Sequence, residues 1–197
     1  MKKISSFLVK IFFWIFITSV ASANNNSFQI GNIDAKVKVK VFSSLTCPHC
    51  AKFHENIFYN LKKDYIDKGL VNFEHNAFPL DLAALNAELI VRCAETAEKK
   101  FQLLGEIYRK QNKWAVGSDI KKINKLIKEI GLNSNLKNDK MNECLNNDKM
   151  QDQILNERIN SQKEYKISST PTIIVNGKKY EGQNVYKDFK KIIDKNL

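Results

Sequence analysis

The sequence predicts an α/β fold whose small sheet is split in two by an all-helical insertion. Three observations predict it. Val37, Val39 and Val41 alternate with Lys36, Lys38 and Lys40, the period of two expected of a strand, and this run leads into Cys47-Pro48-His49-Cys50, where a helical pattern begins. Residues 80–166 then hold no proline and few glycines, and their apolar residues keep helical spacing. The strand signal returns only afterwards, at Thr172–Val175, where Asn176-Gly177 marks a tight hairpin turn.

From the N-terminus, Lys2, Lys3 and Lys10 precede the apolar run Ile11–Ile17, and Ala21-Ser22-Ala23 supplies small residues for cleavage. That is the pattern of a secretory signal peptide over residues 1–23, cut before Asn24. The competing reading is a retained anchor, which wants about 20 apolar residues and so would have to bury Lys10. Phe42 and Ser43 extend the first strand. From Pro48 onward Ala51, Ile57, Phe58, Leu61 and Tyr65 fall near one helix face, and Gly69 is placed to end that helix in the left-handed conformation. Leu70–Ala77 reads as a second strand, closed by Phe78-Pro79.

In the insertion, Asp81 is placed to cap a helix carrying Ala83, Ala84, Ala87, Ile90 and Val91, and Phe101–Gln111 reads as the next. Ser118 is placed to cap a third, whose stripe of Ile120, Ile123, Ile127 and Ile130 ends at Gly131, and Met150–Tyr165 reads as the last. Lys178–Glu181 answers Thr172–Val175 across the hairpin, and Val185–Ile193 closes the chain as an amphipathic helix. The expected division is therefore 24–79 and 167–197 for the α/β part and 80–166 for the insertion.

The chain carries a formal charge of +11, of which the leader contributes three lysines and no acid. Only Arg92, Arg109 and Arg158 are arginines, and no basic stripe is interleaved with aromatics, so no nucleic acid is expected as a partner. The lysines read as a solvated surface. Contact with anionic lipid or acidic substrates stays open.

Four cysteines is an even number, and export would place them where disulfides persist. Cys47 is placed to cap the helix N-terminus, with Pro48 in the first turn, where a missing N–H does no harm. Unpaired N–H groups and the helix dipole favour an anion there. Cys47 should therefore ionise well below the free-thiol value of about 8.5, with His49 adding attraction when charged. Cys50, one turn in, is sheltered and suits the resolving role. A stabilised thiolate favours the reduced form, so the disulfide is readily passed on.

Other uses of the motif fit less well. A structural zinc site needs a second close pair of ligands, and Cys93 and Cys144 stand apart. Covalent haem needs His directly after the second cysteine, where Ala51 stands. An inert disulfide across four residues would close little chain entropy. No cofactor or metal is expected. Thr170-Pro171 opens a strand region and, taken alone, is ordinary edge punctuation.

Together the motifs carry a family likeness. Ser44-Leu45-Thr46-Cys47-Pro48-His49-Cys50-Ala51-Lys52-Phe53-His54 resembles the active-site segment of bacterial DsbA-family thiol:disulfide interchange proteins. Phe78-Pro79-Leu80-Asp81, Arg92-Cys93-Ala94, Gln111 to Trp114, and Ser169-Thr170-Pro171-Thr172 with Asn176-Gly177 continue the likeness over about residues 30–196. The resemblance implies a thioredoxin-like fold with a helical insertion. It implies a periplasmic dithiol oxidase acting on unfolded or reduced exported proteins and reoxidised by a DsbB-like quinone-linked membrane protein. In it Cys47 exchanges, Cys50 resolves, Pro48 and His49 tune the pair, and Thr170 and a cis Pro171 contact substrate.

One departure stands out. Family members usually carry a buried acid six residues before the first cysteine, which helps move the proton of the resolving thiol. Val41 occupies that place here. Glu74 on the neighbouring strand is the candidate substitute, and a plain solvated glutamate is the alternative.

Cys93 and Cys144 look like the second pair of one branch of the family. They are expected to form a structural disulfide, two buried free thiols being the alternative. His54 reads as packing or surface rather than catalysis, His75 is assigned no role, and Trp114 and the isoleucine stripe read as core. Some family members hold unfolded clients on apolar surface near the CxxC. The rival functions are a disulfide isomerase or reductase, and a non-enzymatic thioredoxin-like chaperone or metal-delivery module. Isomerases of this kind use an extra N-terminal dimerising module, and the roughly ten residues between Asn24 and the first strand leave no room for one, so a monomer is expected.

Overall fold

Val37 and Val39 are completely buried and Val41 nearly so, while Lys38 and Lys40 reach outward, so the alternation makes one face of a strand core. The structure is a computed structural model and describes residues 28–197; the expected leader over residues 1–23 lies outside the described residues. The sheet consists of β1 (Phe28–Ile30), β2 (Val37–Ser43), β3 (Val71–Ala77), β4 (Thr172–Val175) and β5 (Lys178–Lys179), in the order β1-β3-β2-β4-β5. Strands β2 and β3 run parallel, which requires a crossover, and the other neighbours are antiparallel. In register, Val41 stands beside His75 of β3 and Ile173 of β4.

The crossover is the helical stretch that starts at α1 (Pro48–Phe53). It continues through two π-helical turns, His54–Phe58 and Lys62–Ile66, around the single turn α2 (Tyr59–Leu61). Ile57 and Leu61 are fully buried, and Gly69 ends the stretch with φ +71°. The insertion contains α3 (Leu82–Arg92), α4 (Ala97–Arg109), α5 (Gln111–Trp114), α6 (Ile120–Asn133), α7 (Asn138–Leu145) and α8 (Asp148–Tyr165), and α9 (Tyr186–Asn196) closes the chain. The α/β class and the helical insertion are as the sequence predicts. Asp81 caps α3 by accepting from the Ala84 N–H at 2.7 Å, and Asn176 and Gly177 both take positive φ in the β4–β5 turn.

Four local features differ from the sequence reading. β1 was not expected: three residues are too few for a period to register. α6 is capped by Asp119, not Ser118, and runs through Gly131 to Asn133. Gly131 is there for packing, because a Cβ at that position would come within 2.3 Å of Met141 Sδ. α7 was also not expected, and it supplies that methionine. β5 spans only Lys178–Lys179, both exposed at the sheet edge.

Candidate active site

Cys47 is the N-cap of α1, with φ −80° and ψ 118°, and Pro48 follows in the first turn. Its carbonyl accepts from the Cys50 N–H at 3.1 Å and the Ala51 N–H at 3.2 Å. The segment before it is fastened by the insertion. Thr46 Oγ1 donates to the Asp81 carboxylate at 2.7 Å, and Gln111 Nε2 donates to the Leu45 carbonyl at 2.7 Å and the Cys47 carbonyl at 3.1 Å. These contacts fix the turn before chemistry begins, which is the form that preorganisation takes here.

Both cysteines are free thiols. Cys47 is 7% exposed and Cys50 only 1%. Cys47 donates to the Thr170 carbonyl at 3.3 Å, across a Thr170–Pro171 peptide that is cis. The sequence-separated pieces, Cys47 and Thr170-Pro171, thus meet in space. The Cys50 thiol donating to Cys47 is the largest influence on its ionisation. Burial opposes it, and Thr170 and the N–H groups of Cys50 and His49 assist, so Cys47 is held down to about 5. Burial, followed by the hydrogen bond to Cys47 and then its charge, pushes Cys50 far above the ordinary thiol range. Two identical side chains one helical turn apart are therefore set to opposite tasks. His49 is exposed and contributes its backbone N–H to Cys47.

Beside Cys47 lies an open depression of about 560 Å³, bordered by Thr46, Pro48, Leu80, Leu82, Ala115 and Ile120. Leu80 and Leu82 on its border are more than half exposed. Among the described residues, no group of three or more His, Cys, Asp or Glu side chains is arranged to hold a metal, and no helix is long and apolar enough to cross a membrane.

The comparisons with known proteins agree on one family. The thioredoxin family profile matches residues 23–195. Disulfide bond formation protein D of Bacillus subtilis is 31% identical over 180 residues, covering 85% of this chain and 76% of that one. The crystal structure of alpha-DsbA1 from Wolbachia pipientis superposes with a TM-score of 0.79 at 30% identity, covering 86% of this chain and 90% of that one. The chain belongs to the thioredoxin family, on its DsbA branch. A Rickettsia prowazekii protein named as a protein-disulfide oxidoreductase is 30% identical over 174 residues, and the chain spans only 62% of that relative's length.

In this DsbA-family chain the place of the missing acid, Val41, faces a histidine rather than a glutamate. Glu74 does not take up the acid's role: it lies beside Lys40 at 3.5 Å, on the face of the sheet opposite Val41 and Cys50, because residues 74 and 75 of a strand point to opposite sides. His75 points inward instead. Its Nδ1 lies 3.2 Å from Ser43 Oγ and its Nε2 3.0 Å from Glu88 of α3. Arg92 donates to Glu88 at 2.9 Å and to Glu157 of α8 at 2.6 Å. Burial would raise Glu88, but His75 and Arg92 beside it win and hold it down to about 2.

The sequence did carry one signal for this cluster. Glu88 falls among Ala84, Ala87 and Val91 on a buried face, with Arg92 four residues on, and a carboxylate there demands partners. His54 is buried and stacked on Phe58 at 4.5 Å, a packing position and not a surface one. Trp114 is fully buried and donates to the Ile107 carbonyl at 2.8 Å. Cys93 and Cys144 are joined as a disulfide with a Cα–Cα distance of 6.1 Å.

Proposed function

We propose that this chain is an exported thiol:disulfide oxidoreductase that introduces disulfides into secreted or periplasmic proteins through Cys47 and Cys50. The single observation that carries the reading is the divided ionisation of the pair, a stabilised Cys47 sulfur beside a buried Cys50 thiol. A client thiolate attacks the Cys47 sulfur of the oxidised pair, forms a mixed disulfide and expels Cys50 with the bonding electrons. A second client thiolate attacks the client sulfur of that bond and expels Cys47 as a stable thiolate. The client loses two electrons and the protein gains them.

Thr170 and Pro171 then line the site where the client backbone lies against Cys47. Pro48 and His49 tune the pair by setting the first turn of α1, and Cys93–Cys144 is structural. The depression bordered by Leu80 and Leu82 gives apolar side chains of an unfolded client a place to rest. Reoxidation falls to a DsbB-like quinone-linked membrane oxidase, and the protein works as a monomer in the periplasm after loss of residues 1–23.

The oxidised protein is mixed with a reduced client and, separately, with a client carrying scrambled disulfides. An oxidase consumes its Cys47–Cys50 bond stoichiometrically and leaves disulfides in the reduced client. Unscrambling without net oxidation would make it an isomerase. No change in either client would leave a binding module and overturn the proposal.

A further inference from the structure

The apolar depression beside Cys47 reaches the seam between α3 and α6, where Leu82, Ala83, Ile120 and Ile123 border it. Further along both helices lies a second open cleft, of about 340 Å³. Asn86 of α3, Lys121, Asn124, Lys125 and Lys128 of α6, and Asn142 of α7 line it. We propose that this cleft is the far half of the client site and holds an acidic stretch of a reduced client whose cysteine reacts at Cys47. The inference rests on the oxidase reading above and names the class of client which that site favours.

The cleft presents positive charge and hydrogen-bond donors. No carboxylate lines it. Lys121, Lys125 and Lys128 follow helical spacing, so they share one face of α6, and like charges at that spacing repel. Among the described residues none of the three is paired with an acid. Glu88 of α3 is buried against His75 and Arg92, and Glu143 of α7 pairs with Lys140. Glu129 of α6 and Asp139 of α7 are exposed and lie outside the lining. An anion in the cleft therefore relieves a repulsion that the fold leaves standing.

The amides are turned the same way. Asn86 Nδ2 donates to Asn124 Oδ1 at 2.9 Å, and Lys128 Nζ donates to Asn142 Oδ1 at 3.0 Å. With those oxygens engaged, Asn124 and Asn142 keep their Nδ2 groups for an acceptor. Carboxylates are the charged acceptors that a polypeptide brings, and their bonds to lysine are stronger than those between neutral groups.

The spacing suits one client chain. From Ile120 to Lys128 the row spans roughly 12 Å along α6, at about 1.5 Å per residue. An extended chain covers that in about four residues. Acidic residues a short way from the client cysteine thus fall over the lysines, while apolar residues nearer the cysteine rest against Leu80 and Leu82. Asp81, the carboxylate on the border of the apolar depression, is held by Thr46 and the Ala84 N–H at the Cys47 end. The formal charge of +11 draws acidic chains to the molecule as a whole, and the cleft gives them a place beside the redox pair.

The test mixes the oxidised full-length protein with reduced two-cysteine peptides. After an apolar spacer of about four residues these carry a block of aspartate, asparagine or lysine. The rate at which each peptide reduces the Cys47–Cys50 bond is read at low salt. The aspartate peptide is expected to react about 10-fold faster than the asparagine peptide, and the lysine peptide more slowly than either. In the variant Lys121→Gln, Lys125→Gln, Lys128→Gln the aspartate preference should fall to near parity, with the asparagine peptide as internal reference. The variant Lys63→Gln, Lys68→Gln, Lys195→Gln removes the same charge from exposed positions on the crossover and α9, and should keep the preference.

A parent protein without the preference overturns the proposal, and so does a preference that survives the cleft variant or is lost alike from both variants. Binding to phosphatidylglycerol vesicles through the same lysines, with no aspartate preference, also overturns it and makes the cleft a membrane-facing surface. If the triple cleft variant does not fold, Lys121→Gln with Lys125→Gln, both at exposed positions, decides. Dithiothreitol is uncharged and takes no part in the cleft. Its failure to reduce the parent would instead remove the redox pair on which the inference rests.

Discussion

Cys47 and Cys50 share one helical turn, and neighbours separate them. Cys47 accepts hydrogen bonds at a helix N-terminus, while Cys50 is surrounded by apolar side chains and a buried tyrosine. The helix position of Cys47 was legible because a strand pattern, a CxxC and a proline at the next residue specify a capped N-terminus. The leading cause of its low ionisation was not: the sequence pointed to the dipole and to His49, and the largest influence is the Cys50 thiol itself. Cys50→Ala should therefore raise the Cys47 ionisation midpoint above about 5, read from the pH dependence of alkylation. An unchanged midpoint would assign the effect to the helix N-terminus alone. His75 escaped the sequence reading because its partner Glu88 sits on another element, and pairing across elements has no local pattern.

Element boundaries followed the same logic. Strand β2, the CxxC helix and the Asn176-Gly177 hairpin were legible because each carries its own periodicity or turn chemistry. Strand β1 and helix α7 were not, since one is too short and the other too polar to show an apolar stripe. Gly131 misled because glycine signals both a helix end and a close approach, and here Met141 of α7 decides for the second. The disulfide ties Cys93, at the C-terminal end of α3, to Cys144 of α7 across a separation of 51 residues. In the loop-entropy account that crosslink contributes about 4 kcal/mol. Replacing both with alanine should lower stability in urea by about that amount while Cys47 still reacts with oxidised glutathione. A loss under about 1 kcal/mol would mean that α3 and α7 hold together by packing alone.

At the scale of the whole molecule, the insertion does more than decorate the sheet. Asp81 and Gln111 clamp the turn that carries Cys47, and Glu88 and Arg92 join β3 to α8 through buried charge. Breaking such a buried set is far more damaging than losing surface lysine pairs like Lys99–Glu95. The order of elements other than β1 and α7 was legible in the sequence; this coupling between insertion and sheet was not.

The thiolate binds its own stability to the redox state. Because Cys47 ionises lower in the folded protein than in an unfolded chain, it stabilises the reduced fold fully above pH about 8.5. That support is smaller at pH 7 and is lost as the pH falls through about 5. The same free energy makes the oxidised form eager to take electrons. The most direct test is a pH titration of the reduced protein by ultraviolet absorbance of the thiolate: one ionisation with a midpoint near 5, abolished by Cys47→Ala, is the predicted result. A midpoint near the free-thiol value of about 8.5 would contradict the account.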